Sequence, residues 1–193
     1  KTTLYEGGIR APLVVWGPGI VAQEASGSTD TESCFAAFDL VPSLLEIVGI
    51  QHSEEIPFDG MDVSPALRGK QSVSHGPIYW RRPPDRKMYK ALGDTVLPDL
   101  AVRDGNWKLL CDYDGQNIQL FDLQKDPGEE NNIAADFEKV RAHLCKQLVS
   151  WHESLPADNG QALAHQDMQK AQVGPENVTG YSLIAADSSA RTL

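Results

Sequence analysis

A tight hairpin signal in the second half of the chain constrains its fold more than any other feature. Two apolar runs, Ala101-Val102-Arg103 and Trp107-Lys108-Leu109-Leu110, flank Asp104-Gly105-Asn106. An Asp-Gly pair favours the positive φ angles of a short hairpin turn, so the two runs are predicted to pair as antiparallel strands. Residues 77–80 and 119–123 are further apolar runs bounded by turns. Consecutive strands with tight turns predict a small four-stranded antiparallel sheet.

A long amphipathic helix is predicted to lie across this sheet. Between residue 136 and about residue 155, apolar side chains recur at steps of three or four: Phe137, Val140, Leu144, Leu148, Trp151 and Leu155. The apolar face of such a helix must pack against another element. Residues 76–156 are therefore predicted to form a small antiparallel subdomain with a packing helix, and 157–193 an irregular tail.

The first part of the chain is predicted to contain short strands. Residues 13–16, Leu-Val-Val-Trp, form an apolar run typical of a strand covered on both faces. A polar loop with Gly7-Gly8 precedes this run, and glycine allows either positive φ or a close approach of another group. Residues 33–38 are a candidate for a second short strand.

Two helices are also predicted in this part. Asp39 is a candidate N-cap for an almost wholly apolar helix over residues 40–48, with Gly49 as its C-terminal stop. A helix with so few polar residues is expected to be well buried. Residues 64–69 have the proline and the terminal glycine of a one-turn helix. We predict a boundary between two subdomains near residue 75.

Charge and cysteine content exclude some function classes. The net charge is −10 over 193 residues, and no basic stripe is available to neutralise nucleic-acid phosphates. No run of apolar residues is long enough for a membrane span. Cys34, Cys111 and Cys145 match neither a zinc spacing nor a disulfide framework, and we expect Cys34 and Cys145 to be buried thiols. No metal ligand is assigned in this chain.

The opening residues, Lys1-Thr2-Thr3-Leu4-Tyr5-Glu6-Gly7-Gly8-Ile9-Arg10-Ala11-Pro12, resemble the second signature of the type I sulfatases, K-x-x-x-[YF]-E-G-G-x-R-x-P. Residues 39–49, 103–109 and 120–134 resemble later sulfatase segments in the same order. Residues 103–109 are similar to R-x-G-x-[WY]-K-[LY], and residues 120–134 are similar to L-[YF]-D-L-x-x-D-P-x-E-x-x-N-L-A. We interpret both segments as structural and assign no chemistry to them. The resemblance covers residues 1 to about 155.

The resemblance implies an α/β fold of the alkaline-phosphatase-like superfamily, of which this chain is the C-terminal portion. Residues 1–75 would be the end of a large mixed-sheet catalytic domain, and residues 76–156 the small antiparallel subdomain. The implied compartment is periplasmic, secreted or lysosomal.

The resemblance also implies one catalytic residue in this chain, Lys1, whose counterpart in the family contacts the sulfate group. Sulfate ester cleavage needs positive charge on the oxygens and an activated oxygen nucleophile. In the family these are supplied by calcium and by a formylglycine made in a C/S-x-P-x-R string. The chain contains neither that string nor a cluster of aspartates in the sequence context that holds calcium in the family. Both cofactors are expected upstream of Lys1, and the chain alone is expected to have no turnover.

Basic residues near the start of the small subdomain are candidates for binding substrate. His75, Arg81 and Arg82 lie near further cations at residues 86, 87 and 90 in an otherwise acidic chain. Such a cluster would attract a substrate with several sulfates. The alternative is a solvated loop beside an edge strand. Glu6 and Arg10 are expected to hold the opening loop by hydrogen bonds.

The expected function of the intact enzyme is hydrolysis of a sulfate ester on a sugar, a glycosaminoglycan or an aryl group. Its expected partners are that substrate and the N-terminal part of the same enzyme, with no nucleic acid and no membrane span. Phosphonate or phosphate monoester hydrolysis is an alternative within the superfamily. A non-catalytic binding or scaffold fragment is an alternative from another class.

Overall fold

A computed structural model describes residues 3–51, 57–82, 91–92 and 95–156, of which 91–92 and 95–96 are described by their backbone. Its central feature is a four-stranded antiparallel sheet in the order β1-β4-β5-β6. The strands are β1 (Ile78–Arg81), β4 (Leu100–Asp104), β5 (Trp107–Cys111) and β6 (Gln119–Asp122). β2 (Ala91–Leu92) and β3 (Thr95–Val96) pair separately as a two-stranded sheet. The predicted four-stranded antiparallel sheet is confirmed.

The hairpin between β4 and β5 forms where the sequence predicts it. Gly105 has φ of +57°, and Asp104 pairs with Trp107 across the turn. The φ angle lies in the left-handed region that glycine adopts without steric cost. The register that follows places Arg103 opposite Lys108, and Ala101 opposite Leu110.

The long helix α4 (Glu138–Ser154) covers one face of the sheet, as predicted. Leu144 and Leu148 of α4 are buried in one cluster with alternate strand residues: Leu100, Val102, Leu109, Cys111 and Leu120. Because strand side chains alternate between faces, the residues between these point to the other side. That second face carries Ala101, Leu110 and Phe121, and Leu4 from the opening loop packs on it.

The first part of the chain contains three short helices. They are α1 (Glu6–Ile9), α2 (Leu40–Val48) and α3 (Ser64–Leu67). Gly49 ends α2 with φ of +71°, which confirms the predicted helix and its stop. Single 3₁₀ turns lie at Gln23–Ala25 and Ala37–Asp39. The described residues up to Leu155 belong to one compact unit, and the boundary near residue 75 stays a prediction.

Several expectations for this first part are wrong in this structure. Residues 13–16 form no strand, and Val14 and Trp16 are 88% and 84% exposed. A strand needs a hydrogen-bonding neighbour, and within the described ranges no strand pairs with them. Residues 33–38 form no strand either, although Cys34 makes one isolated bridge to Ser74.

The expected burial of α2 is also wrong. Val41, Leu44 and Val48 are exposed, and Ser43 is the buried residue of this helix. An apolar sequence gives the helix a surface to bury, but the surrounding described residues do not cover it. Cys34 and Cys145 are half-buried rather than buried, and Cys111 is the cysteine without exposure. The predicted tail at 157–193 lies outside the described residues.

Candidate functional site

The opening loop, residues 3–10 including the short helix α1, is bound to the second face of the sheet by a largely buried cluster of four charges, Glu6, Arg103, Lys108 and Glu129. We call these residues the four-charge cluster. Arg103 and Lys108 lie directly opposite each other on β4 and β5. Like charges in that position repel each other. Glu6 relieves this repulsion, because its two carboxylate oxygens bind one cation each.

The distances within the cluster describe close ion pairs. Nζ of Lys108 donates a hydrogen bond of 2.9 Å to Oε1 of Glu6, and Arg103 donates one of 3.2 Å to Oε2. The side chain of Lys108 has 0% exposure and that of Glu6 has 8%. Nζ of Lys108 also lies 5.2 Å from the centre of the Trp80 ring, within the range of a cation–π interaction. The two cations and two carboxylates balance in charge, as burial requires.

Glu129 completes the cluster from the loop after β6. Its Oε2 accepts a 2.6 Å hydrogen bond from the backbone N–H of Glu6, and its Oε1 lies 3.7 Å from Nζ of Lys108. Burial raises the pKa of Glu129, while the Glu6 N–H bond and the Lys108 charge partly offset this rise. Glu129 therefore fixes the backbone of Glu6, and Lys108 fixes its side chain.

Neighbouring residues of the loop are anchored on the same face. Leu4 is buried against Ala101, Leu110 and Phe121. The hydroxyl of Tyr5 donates a 2.8 Å hydrogen bond to Oε1 of Gln119. Three consecutive loop residues thus contact the sheet, by an apolar contact, a hydrogen bond and ion pairs.

Gly8 allows the loop to fold back on itself. A Cβ atom at Gly8 would lie 2.2 Å from the carbonyl oxygen of Thr3, whereas one at Gly7 would meet nothing within 4 Å. Neither glycine has positive φ among the described backbone. Of the two predicted roles for this pair, close approach is therefore the one that Gly8 fulfils.

The structure places the other predicted site residues as follows. Lys1 lies outside the described residues, so its catalytic role stays a prediction. Arg10 is exposed. Its partner in the prediction, Glu6, does hold the loop by hydrogen bonds, as expected.

His75 lies in a separate polar junction. Its Nε2 is 3.6 Å from Oδ1 of Asp39, whose side chain has 0% exposure, and its ring packs edge-on against Phe38. The same Asp39 carboxylate accepts hydrogen bonds from the backbone N–H groups of Ala36 and Met61. These contacts give His75 a fixed place, and its substrate role stays a prediction.

Arg81 and Arg82 differ in exposure. Arg82 is 6% exposed, and its guanidinium donates to Asp99 Oδ1 at 2.5 Å and to the Leu97 carbonyl at 2.8 Å. The carbonyl of Arg82 accepts a hydrogen bond from the Tyr113 hydroxyl. Arg81 is half-buried at the end of β1. Substrate binding by either residue stays a prediction, and the cations at residues 86, 87 and 90 lie outside the described residues.

Sequence reasoning missed Arg103, Lys108 and Glu129 as partners of the opening motif. Each lies in a segment that had been interpreted as structural. The available signal was charge: the E-G-G segment carries one acid, and the R-x-G-x-W-K segment carries two cations that a hairpin places face to face. A cross-strand pair of like charges predicts a nearby counter-charge.

The cofactors that the resemblance implies do not fit the residues that the structure describes. Among the residues that the structure describes, no three His, Cys, Asp or Glu side chains form a group that could hold a metal ion. The carboxylates of Glu6 and Glu129 are bound by Lys108. None of the three cysteines begins a C-x-P-x-R string. We therefore derive no step through calcium or formylglycine on this chain.

Within the described ranges, no helix is both long and apolar enough to cross a lipid bilayer.

Comparison with known proteins gives a family match over most of the chain. The family model described as N-sulphoglucosamine sulphohydrolase, C-terminal, matches residues 1–154. This range includes the opening motif and all four members of the four-charge cluster.

Similar curated proteins are sulfatases. Arylsulfatase K of Mus musculus is 26% identical over 97% of this chain, and arylsulfatase A of Bos taurus is 28% identical over 89%. Choline-sulfatase of Rhizobium meliloti (strain 1021) is 34% identical over 69% of this chain. The chain spans 37%, 35% and 23% of the length of these three relatives.

Solved structures overlap partially. A protein in complex with its substrate D-glucosamine-2-N,6-O-disulfate has a TM-score of 0.44 and 20% identity, covering 60% of this chain and 23% of its own. The phosphonate monoester hydrolase of Agrobacterium radiobacter has a TM-score of 0.40 and 24% identity, covering 60% of this chain and 24% of its own. Scores of this size describe a partial overlap of the backbone.

Proposed function

Because the chain belongs to the N-sulphoglucosamine sulphohydrolase C-terminal family of sulfatases, we propose that the intact protein hydrolyses sulfate esters and that Lys1 contacts the sulfate group. The match to residues 1–154, which includes the whole K-x-x-x-[YF]-E-G-G-x-R-x-P signature, is the observation that carries this proposal. The buried anchoring of Glu6 supports it, because an anchored loop is a suitable base for a catalytic side chain.

The role assigned to Lys1 is electrostatic. Cleavage of a sulfate ester develops negative charge on the leaving oxygen and redistributes charge over the sulfate oxygens. A lysine ammonium close to these oxygens stabilises the transition state, provided that it is held in place before the reaction. Glu6 and its partners hold the loop that follows Lys1 in the sequence.

Other parts of the site are proposed to come from residues of the same enzyme outside this chain. Membership of the sulfatase family implies calcium and formylglycine in general. The described residues fit neither, and the chain spans 37%, 35% and 23% of the three relatives described above. The nucleophile and the calcium ligands are therefore assigned to the residues of the enzyme outside this chain.

The proposed substrate is a sulfated sugar, glycosaminoglycan or aryl compound. The names of relatives support the sulfate ester class, since they include arylsulfatases, choline-sulfatase and an ulvan-active sulfatase of Formosa agariphila. His75, Arg81 and Arg82 remain candidate contacts for a substrate with several sulfates.

The test is an assay of the intact protein with 4-nitrophenyl sulfate and with a 4-nitrophenyl phosphonate monoester. We expect the sulfate to be the faster substrate, and Lys1→Ala to lower kcat/KM for it by about 10²–10³-fold, as for loss of one oxyanion contact. Lys125→Ala is the control, because Lys125 is 79% exposed. Faster phosphonate hydrolysis, or an unchanged kcat/KM in Lys1→Ala, would overturn the proposal.

A further inference from the structure

We propose that Cys111 and Cys145 form a reversible disulfide that fixes helix α4 to strand β5 when the protein meets a small-molecule disulfide such as oxidised glutathione. Neither cysteine belongs to the four-charge cluster, and the inference does not depend on the proposed sulfatase activity. All three cysteines are free thiols in this structure.

The two thiols meet at the interface between the sheet and α4. Cys111 is the last residue of β5 and has 0% exposure within the apolar core, and Cys145 packs against the same core from α4. The Cys111 thiol donates a hydrogen bond to the Cys145 sulfur. The two side chains are therefore direct neighbours, although β6 and the turn after it separate them in the sequence.

The hairpin after β5 fixes the direction of the Cys145 side chain. The Cys145 thiol donates to the Gly115 carbonyl at 3.9 Å. Gly115 has φ of +74°, and a Cβ atom there would lie 3.5 Å from the Cys145 sulfur. The N–H of Gly115 is bonded to the carbonyl of Asp112, the residue directly after Cys111. This turn therefore holds the Cys145 sulfur beside the end of β5.

Cys34 lies on the other side of the sheet. Burial raises the pKa of its thiol, and the charges that also act on it are led by those of Arg103 and Glu6. Both of these residues belong to the four-charge cluster on the second face. Of the three cysteines, the fold thus brings together Cys111 and Cys145.

The environments of the two thiols set the order in which they react. Thiol–disulfide exchange begins with a thiolate. Burial raises the pKa of both thiols, that of Cys111 to about 12. Cys145 is half-buried, and the hydrogen bond from Cys111 partly offsets the rise in its pKa. Cys145 is therefore the thiol that reacts first.

The reaction balances in two exchange steps. The Cys145 thiolate attacks one sulfur of oxidised glutathione, which forms a mixed disulfide and releases one glutathione thiolate. The Cys111 thiol then loses its proton, and its sulfur attacks the Cys145 sulfur and releases the second glutathione thiolate. Two protein thiols are oxidised to one disulfide, one glutathione disulfide is reduced, and the two protons pass to the released glutathione thiolates.

The bond would add a covalent link to an interface that Leu144 and Leu148 hold by apolar packing. It closes a loop of chain that contains β6. Closing such a loop reduces the conformational freedom of the unfolded chain, so the disulfide is expected to stabilise the packing of α4 on the sheet.

The test treats the folded intact protein with oxidised glutathione, blocks the remaining thiols with N-ethylmaleimide and identifies linked peptides by mass spectrometry. We expect peptides joined through Cys111 and Cys145, released by dithiothreitol, and a rate of formation that rises about tenfold per pH unit up to about pH 9. A mixed disulfide of Cys145 with glutathione that persists, or thiols that remain reduced at about pH 9, would overturn the inference.

Cys34→Ser is the matched control and is expected to leave this cross-link unchanged, whereas Cys145→Ser should abolish it. In the oxidised parent protein, amide exchange at Leu144 and Leu148 should slow by about tenfold or more relative to the reduced protein. Cys145→Ser should show no such difference between the two treatments. A cross-link that leaves exchange in α4 unchanged would overturn the fixing of α4 by the disulfide.

Discussion

Residues 77–156 bury most of their large apolar side chains in a core, whereas residues 3–76 leave many of theirs exposed. In the later region, Leu100, Leu109, Leu120 and Leu148 have 0% exposure and form one core between the sheet and α4. In the earlier region, large apolar side chains remain exposed in the described structure: Leu13, Val14, Val15, Trp16, Ile20, Phe38, Val41, Leu44, Val48, Ile50 and Met61. The later region, residues 77–156, is therefore held together by hydrophobic packing. Much of the earlier region, residues 3–76, is held by other forces.

Polar contacts take over in the earlier region. The buried carboxylate of Asp39 accepts two backbone N–H groups, and the hydroxyl of Ser43 connects α2 to Val63 through a 2.7 Å hydrogen bond. Glu6 binds Lys108 in the sheet. Such contacts are directional, so they fix orientation where apolar packing is sparse. In the core, truncation of apolar side chains should therefore cause the largest losses of stability. At the opening loop, substitutions that remove a charge or crowd the backbone should do so.

The largest contrast should come from truncating leucines. Leu148→Ala removes a fully buried side chain and is expected to cost about 2–5 kcal/mol in the free energy of unfolding. Leu44→Ala, at a residue 54% exposed, should change it by less than about 0.5 kcal/mol. Denaturant unfolding of the intact protein measures both changes in the free energy of unfolding, with amide exchange in β4 and β5 as the probe. A larger loss for Leu44→Ala would mean that α2 is buried after all.

A smaller contrast is expected between two adjacent glycines. Gly8→Ala forces a Cβ atom against the Thr3 carbonyl at 2.2 Å and should destabilise the loop by about 1–3 kcal/mol. Gly7→Ala is the matched control, because a Cβ atom there meets nothing within 4 Å. Exchange of the Arg10 amide reports the loop locally. Equal effects of the two substitutions would show that the loop does not fold back on Thr3.

The smallest effect concerns pH and Glu129. Burial raises the pKa of this carboxyl above its ordinary value of 4.5, so the folded state loses stability relative to the unfolded state as pH rises through that raised pKa. Glu129→Gln removes this loss, although Lys108, Glu6 and Asp126 also act on the group. The difference in unfolding free energy between variant and parent should therefore shift towards the variant as pH rises from below 4.5 through the raised pKa of Glu129.

Glu130→Gln is the control for removing one carboxylate from this loop, since Glu130 is exposed. A difference that is constant with pH, or that shifts towards the parent protein, would contradict the raised pKa of Glu129.

Local signals in the sequence were sufficient for the later region. Asp104-Gly105 encodes its own turn, and the spacing of Leu144 and Leu148 encodes the helix face that packs on the sheet. Both patterns are completed by residues within the same region. The apolar run at 13–16 has no such completion, because its sequence describes a strand only if a partner strand lies beside it.

Less of the candidate site than of the later region could be predicted from the sequence. The signature identified Glu6 as a residue that holds the loop, but it gave no information about what Glu6 binds. That depends on strand register, which brings Arg103 opposite Lys108, and on the loop after β6, which delivers Glu129. Contacts across about a hundred residues of sequence follow from tertiary structure, and a single sequence shows only their charges.

The ion pair between Glu6 and Lys108 attaches the opening loop to the sheet, and the coupling energy between these two residues tests this attachment most directly. Glu6→Gln and Lys108→Met, singly and together, are measured by unfolding of the intact protein. Loss of one partner of a buried pair is expected to cost about 3–5 kcal/mol. We predict that the double variant is more stable than the sum of the single effects by about 1–3 kcal/mol. Additivity within about 0.5 kcal/mol would contradict the attachment.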